Sequence, residues 1–210
     1  MKIAAIIQTR MGSTRLPGKV LADLAGEPVL VRVVERVRRA ALLDSVIVAT
    51  TFEPADDQIF EFCAARGWPC FRGSQDDVLD RYYQAAVAYK ADAVVRITSD
   101  CPLIDAEFID YVVEKFKTNQ PKIDYVTNSR LEPLTYPRGF DTEIMSFEAL
   151  EKTWAQAKDQ PEREHVTLYI YRHPEIFNIF KLDNDVSYSH MRWAIDTKED
   201  LEFVRRNYDY

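Results

Sequence analysis

Cysteine, histidine and glycine are scarce in this chain, and long apolar runs are absent. Three cysteines in 210 residues, Cys63, Cys70 and Cys101, contain no Cys-x-x-Cys pair. They are too few and too scattered for a disulfide framework or a cysteine zinc site, and they point to reduced thiols in a cytoplasm. The histidines, His165, His173 and His190, lack the His-Glu-x-x-His spacing of a helical zinc site. No apolar stretch approaches the roughly 18 residues of a membrane span. Lys2 followed by Ile3–Ile7 and then polar Gln8, Thr9 and Arg10 does not make a signal peptide. Positive charge is outnumbered, 27 Lys and Arg against 34 Asp and Glu for a net charge of −7, which argues against a broad grip on nucleic acid. A cytoplasmic protein with no membrane or nucleic-acid partner is expected.

What is present is ordinary globular composition, 47% hydrophobic and 29% charged, enough apolar material for a large core without staples. At about 150 residues per domain the length suggests one domain, 1–210. Lys2–Gln8 reads as a strand buried on both faces. A polar loop from Thr9 to Gly18 follows, and Pro28 opens a helix from Val29 to Leu43 with valines at helical spacing. Ser45–Thr50, Trp68–Phe71 and Asp92–Ile97 read as further strands. Between them lie helices from Pro54 to near Gly67 and over Asp76–Lys90, followed by Asp105–Lys117 with Asp105 as N-cap. This alternation predicts an α/β fold with a mainly parallel sheet. Beyond residue 120 the expected elements are strands at Ile123–Thr127, Gly139–Met145, Ile176–Leu182 and Met191–Ile195. Helices are expected from Ser146 to about Lys158 and from Pro161 to before Pro174. Thr197 and Asp200 form a capping box for a last helix.

Three segments carry chemistry. Gln8–Lys19 packs Arg10, Arg15 and Lys19 with Gly12 and Gly18 into a loop at the carboxyl end of the first strand, where open α/β sheets bind ligands. Glycines let backbone N–H groups approach an anion, and the cations neutralise it. Neither the Walker spacing nor Gly-x-Gly-x-x-Gly is met, so the residues alone leave a phosphate cradle or a solvated basic loop. Asp100 follows the Asp92–Ile97 strand and either holds a hard cation or forms a turn. Asp196 stands in the same position after a short apolar run, 96 residues on. Asp183-Asn184-Asp185 has the Asp-x-Asp form by which nucleotide-sugar glycosyltransferases hold a metal, a form also common in turns. Cys101 reads as a small buried thiol, and Arg32, Arg36, Arg38 and Arg39 as a solvated helix face.

Taken in order, these segments resemble the cytidylyltransferase family that activates acidic sugars, which includes the 3-deoxy-manno-octulosonate and acylneuraminate enzymes. They are most similar to its spore-coat polysaccharide biosynthesis F-type branch. The resemblance rests on I-I-Q-T-R-M-G-S-T-R-L-P-G-K-V-L, F-R-G-S-Q-D-D-V-L-D-R-Y-Y, R-I-T-S-D-C-P-L-I-D, P-R-G-F-D-T-E, E-R-E-H-V-T and I-D-T-K-E-D-L-E. It spans essentially the whole chain. Ser99 stands where the family's Gly-Asp-x-Pro element usually has glycine.

The resemblance implies a three-layer, Rossmann-like nucleotide-diphospho-sugar transferase fold. It also implies CTP as donor, a small acidic acceptor and Mg²⁺, or Mn²⁺ in its place. By motif match, Arg10, Arg15 and Lys19 hold the triphosphate, with Gln8, Gly12, Ser13, Ser74 and Thr98 completing the nucleotide site. Asp100 and Asp196 are the metal ligands, and Arg15, Lys19 and Asp100 the catalytic set. The loop Asn128–Arg138 and the strand Gly139–Met145 are expected to wall an acceptor pocket. There Arg138 pairs an acidic group, Glu143 binds hydroxyls and His165 orients the acceptor. Aromatic residues crowd the last third, including Phe140, Phe147, Trp154 and Tyr169, and suggest a homodimer with contacts within about 128–180.

Overall fold

The Ile-rich run at the start forms β1 (Ile3–Gln8), an interior strand of a seven-stranded sheet. Its side chains alternate between two cores: Ile3, Ala5 and Ile7 face one, Ala4 and Ile6 the other. A strand covered on both sides needs apolar residues at every position, which explains the absence of polar alternation. The structure, a computed structural model, describes residues 1–208. After β1 come the short strands β2 (Asp23–Leu24) and β3 (Glu27–Pro28), then α1 (Val29–Val37), β4 (Ser45–Thr51), α2 (Asp57–Ala65) and β5 (Cys70–Gly73). Next are α3 (Val78–Tyr89), β6 (Ala93–Thr98), α4 (Ala106–Thr118), β7 (Tyr125–Thr127) and β8 (Glu143–Ser146). The chain continues through α5 (Phe147–Gln156), α6 (Gln160–Glu164), α7 (Leu168–Arg172), β9 (Ile179–Lys181) and α8 (Lys198–Tyr208).

The sheet order is β5-β4-β1-β6-β8-β7-β9. Strands β5, β4, β1 and β6 are parallel, β8 runs antiparallel to β6 and β7, and β9 is parallel to β7. One layer of helices supplies Leu30, Val33, Ile59, Val112 and Phe116 to the first core. The other supplies Leu79, Tyr82, Ala86, Leu150 and Ile170 to the second. From β1 the chain winds outward to β4 and β5, then crosses back to β6 on β1's other side. That reversal leaves a crevice at the carboxyl ends of β1 and β6, where Gln8 and Thr98 are register partners.

Several sequence expectations hold. The Asp105 and Ser146 side chains cap α4 and α5, accepting from Phe108 N at 2.8 Å and Ala149 N at 3.0 Å. The capping box is reciprocal: Asp200 N donates to Thr197 Oγ1 at 3.2 Å and Thr197 N to Asp200 Oδ2 at 2.9 Å. Others need correction. Helix α1 stops at Val37 rather than Leu43 because the Asp110 carboxylate takes the Ala41 and Leu42 N–H groups, each at 2.8 Å. Residues 191–195 form no strand, only a bridge between Arg138 and Arg192, since Ile195 N turns away to Asp100 O at 2.8 Å. Strand β8 starts at Glu143 rather than Gly139. The side chain of Asn128 gathers the preceding turn, donating to Phe140 O at 2.9 Å and accepting from Thr142 N at 2.8 Å. The helix expected after Pro161 divides into α6 and α7. The β2–β3 hairpin was not anticipated; Ala25 and Gly26, both at positive φ, make its two-residue turn. It packs Leu24 against Ile195, Leu201 and Val204, tying α8 to the start of the chain.

One ion cluster lies inside the sheet. Arg96 and Glu143 are cross-strand partners on β6 and β8, joined at 3.0 Å between Nη1 and Oε2. Arg130 Nε reaches the other carboxylate oxygen at 2.9 Å, and Thr167 Oγ1 donates to Oε2 at 3.1 Å. Burial pushes the Glu143 carboxyl up, but Arg96 and Arg130 outweigh it and hold it below the ordinary carboxylate range. Its contribution to stability is therefore present above the unfolded carboxylate pKa and is lost as pH falls through the lower folded value. Replacing Glu143 with Gln leaves Arg96 buried without a counter-charge, so we expect a loss of about 3–5 kcal/mol. Urea unfolding at neutral pH measures it; a midpoint equal to wild type would show the cluster contributes nothing net.

Candidate active site

The loop after β1 is folded onto itself before it meets any partner. Met11 O accepts from Ser13 N at 2.9 Å and from Gly18 N at 3.0 Å, closing the segment into a ring. Gly18 sits at φ +71°, a conformation that favours glycine. The loop is pinned from outside by buried Asp56, which accepts from Met11 N at 2.7 Å and from Thr50 Oγ1 at 3.0 Å. The short helical turn Lys19–Leu21 then aims Lys19 across the crevice.

Lys19 Nζ lies 2.6 Å from Ile195 O, 3.0 Å from Asp100 Oδ2 and 3.2 Å from Asp196 Oδ1. Its side chain is 11% exposed. Asp100 leaves β6 and Asp196 precedes α8, so the two expected carboxylates do meet, 96 residues apart. Asp196 is ringed by further cations: Arg15 at 2.8 Å on Oδ1, with Arg192 at 2.6 Å and Arg138 at 3.6 Å on Oδ2. Burial would raise its pKa, yet Lys19, Arg15 and Arg192 together lower it. Asp200 holds Arg192 from the other side, at 3.0 Å. Burial opposes its ionisation, but Arg192 and the Asp196 and Thr197 N–H groups bring its pKa down to about 2. Four cations thus face three carboxylates here, leaving an excess of positive charge and donors for an anionic ligand.

Arg15, Lys19, Asp100 and Asp196 line a cleft of about 270 Å³. Gln8, Arg10, Ser13, Arg15 and Lys19 face it from the first loop, and Thr98 and Asp100 from β6. Asp196 lies opposite, and His165 closes the far side. Two residues before His165, Arg163 binds Asp77 at 2.6 Å and the Trp154 carbonyl at 2.7 Å. Four expected residues are elsewhere. Gly12 is on the loop but outside the cleft lining. Ser74 caps the approach to α3, accepting from Asp77 N at 3.0 Å. Arg138 lines a second cavity of about 370 Å³ with Asn128, Arg130, Tyr136 and Asp141. Glu143 lines neither cavity; with both oxygens committed to Arg96 and Arg130 and no exposed surface, it cannot bind acceptor hydroxyls. Gly139 lets the segment before β8 pass close to Trp193 and Ala194. Its φ is +107°, and a Cβ there would come within 2.8 Å of the backbone at Trp193 and Ala194.

Sequence reading missed Arg81, Arg96 and Arg192 as parts of this region. Arg192 carries a usable signal, since it sits four residues before Asp196 and eight before Asp200. Cys101 is a buried thiol whose pKa is raised by burial and by neighbouring Asp100, as a structural cysteine should be. Asp183 is engaged with Lys181 at 2.6 Å, outside the cleft. Among the described residues no three acidic, His or Cys side chains converge as a metal cage. Asp100 and Asp196 supply two hard oxygen ligands, which fits a cation that draws its remaining ligands from a bound phosphate chain and water.

Comparison with known proteins agrees with this geometry. A family model described as cytidylyltransferase matches residues 4–207. The spore coat polysaccharide biosynthesis protein SpsF of Bacillus subtilis is 35% identical over 213 residues, covering 98% of this chain and 86% of that protein. A cytidylyltransferase from Leptospira borgpetersenii serovar Hardjo-bovis is 39% identical and superimposes with a TM-score of 0.92 over 98% of this chain and 85% of that one. A CMP:2-keto-3-deoxy-manno-octonic acid synthetase solved with CTP, 20% identical, shares the fold with a TM-score of 0.77 over 100% and 99% of the two chains. The sheet is therefore that of the nucleotide-diphospho-sugar transferases. Matched from residue 4 to residue 207 and similar to SpsF along nearly its whole length, this chain belongs to the cytidylyltransferase family.

Proposed function

We propose that this protein transfers CMP from CTP to a small acidic acceptor, an acidic sugar or a related carboxylated or phosphonate compound, in the making of a surface polysaccharide or glycan. The observation that carries the reading is the convergence of Lys19, Arg15, Asp100 and Asp196 at the carboxyl ends of β1 and β6. An acceptor oxygen attacks the α-phosphorus, the bond to the β-phosphate oxygen breaks, and pyrophosphate leaves. The protein supplies mainly position and charge neutralisation. Arg10 and Arg15 hold the triphosphate, and Lys19 steadies the departing pyrophosphate as its charge grows. Asp100 and Asp196 are the residues that would hold Mg²⁺ or Mn²⁺, whose chemistry there is to polarise phosphate oxygens. His165, on the far side of the cleft, orients the acceptor.

The acceptor fits the second cavity, where Arg138 and Arg130 present guanidinium groups to a carboxylate or phosphate. Arg138 reaches toward Asp196 at 3.6 Å, so it stands between acceptor and nucleotide. The reading also includes a homodimer with contacts within 128–180, although Trp154 already stacks on Tyr83 at 4.3 Å and Phe140 packs edge-on against Trp193 at 5.3 Å within the chain.

Pyrophosphate release from CTP across a panel of acidic sugars, other carboxylated polyols and phosphonates tests the reaction, and release from another triphosphate in preference to CTP would refute it. Asp100→Asn should lower turnover roughly a thousand-fold or more while leaving the circular dichroism spectrum unchanged, and chelation of divalent cations should do the same to wild type. Full activity of that variant with saturating magnesium would remove Asp100 from the site. Arg138→Ala should raise the acceptor KM about ten-fold or more and leave the CTP KM nearly unchanged, the loss of one charged contact. Light scattering at micromolar concentration should give twice the 24.4 kDa chain mass; a monomer contradicts the dimer.

A further inference from the structure

Cys63 and Cys70 stand at the two ends of the turn that joins α2 to β5, and neither lines the cleft or the second cavity. Backbone bonds alone set that turn. Trp68 N donates to Cys63 O at 2.9 Å and Gly67 N to Ala64 O at 3.1 Å, with Gly67 at φ +64°. A glycine in this conformation closes the helix end and turns the chain back. The chain therefore returns past the last turn of α2, and α2 packs on β5. The two thiols meet there, with the Cys63 and Cys70 side chains hydrogen-bonded to each other. Cys63 is fully buried in the first core. Cys70 packs against the same core but is only half-buried, on the strand that forms one edge of the sheet. Its backbone is held by the Tyr89 hydroxyl, which donates to Cys70 O at 3.4 Å, and by the register that sets it opposite Val48 on β4.

The two sulfurs are chemically unequal. The hydrogen bond from Cys63 holds the Cys70 thiol below the ordinary thiol range; burial opposes this and the charge of Arg72 supports it. The same hydrogen bond, with burial, pushes the Cys63 thiol up. Arg72 is kept beside the pair by Asp57 at 2.7 Å and by the Thr51 carbonyl at 2.7 Å. The more exposed sulfur is thus the one that ionises, and the buried one keeps its proton. A thiolate is the nucleophile toward an oxidant, and a neighbouring thiol resolves the product. Cys101 is the contrast within the same chain. It is buried, its thiol is raised by burial and by Asp100, and among the described residues no second cysteine adjoins it.

We propose that Cys63 and Cys70 are a redox modification site, which a peroxide converts to a disulfide between the last turn of α2 and the start of β5 and a dithiol converts back. The Cys70 thiolate attacks one peroxide oxygen. The O–O bond breaks, and the departing hydroxide takes up the proton that Cys70 released. The Cys63 sulfur then attacks the sulfenic acid on Cys70. The S–O bond breaks, and the Cys63 proton leaves with that oxygen as a second water. Two thiols lose two electrons, and one peroxide becomes two waters. A dithiol reverses the link by thiol–disulfide exchange and is itself left as a disulfide. The pair lies outside the residues assigned to cytidylyl transfer, so the test reads sulfur chemistry and is independent of turnover.

The test is hydrogen peroxide treatment of the folded wild-type protein at neutral pH, followed by intact mass, thiol alkylation and peptide mapping without reduction. The expected product is lighter by two hydrogens and yields a linked Cys63–Cys70 peptide. It keeps an alkylatable thiol at Cys101 after unfolding and returns to the starting mass with dithiothreitol. Cys101→Ala should form the same link. Cys70→Ser should lose free thiol at least about ten-fold more slowly than wild type. Cys63→Ala should carry its oxidation on Cys70 as a sulfenic acid that dimedone traps; if that variant does not fold, the wild-type map and Cys70→Ser decide. Oxygen added to Cys70 in wild type while Cys63 stays alkylatable would show that the sulfurs do not join, and overturns the proposal. So does a link that forms only in urea or that involves Cys101. No reaction in the folded protein overturns it as well, and leaves both cysteines as packing residues.

Discussion

The ammonium group of Lys19 joins three stretches of chain that lie far apart in sequence. It touches the turn after β6 through Asp100, and the approach to α8 through both the Ile195 carbonyl and the Asp196 carboxylate. Asp100 and Asp196 are like charges in a half-shielded crevice and would repel without a cation between them. With it, they become fixed acceptors, and the guanidiniums of Arg15, Arg138 and Arg192 gather around Asp196. The β2–β3 hairpin and α8 matter to chemistry for the same reason. Their packing of Leu24 on Leu201 and Val204 brings the end of the chain to its first loop.

Several charged side chains are buried in this fold, among them Asp56, Arg81, Arg96, Glu143, Glu162 and Asp196. In the Arg96–Glu143–Arg130 group both carboxylate oxygens are paired, with Thr167 and Ser129 adding hydrogen bonds to the same carboxylate. It links β6 and β8 to the segment that carries Arg130, so the floor of the second cavity is tied to the central sheet.

Much of this was legible in the sequence, because it follows from local rules. Fully apolar runs such as Ile3–Ile7 and Val46–Ala49 can only be strands covered on both faces, and the caps at Asp105, Ser146 and Thr197 are set by residues three apart. The motifs also named Lys19, Asp100 and Asp196, which the structure brings together. What escaped depends on distant partners. Nothing near Val37 says that Asp110 will collect the next two N–H groups, and nothing near Glu143 says that two arginines will enclose it. The stretch 191–195 has a strand's composition, but its N–H groups at Trp193 and Ile195 go to Arg138 O and Asp100 O instead of to a sheet. Arg81 looked like one charged residue among many on a helix, and only its burial distinguishes it.

Asn128 bonds across the base of the segment that follows it, through Phe140 O and Thr142 N. With Gly139 wedged against Trp193 and Ala194, both stems of that segment are fixed independently of what lies between them. The entropy of closing a loop grows only slowly with its length, about 0.6 kcal/mol for each doubling. Residues 129–138 can therefore lengthen, shorten or change composition with little effect on the sheet or the first loop. The second cavity and the Lys19 cluster are thereby placed on separate pieces of chain. A lineage built on this scaffold can reshape the second cavity while the geometry around Lys19 stays as it is.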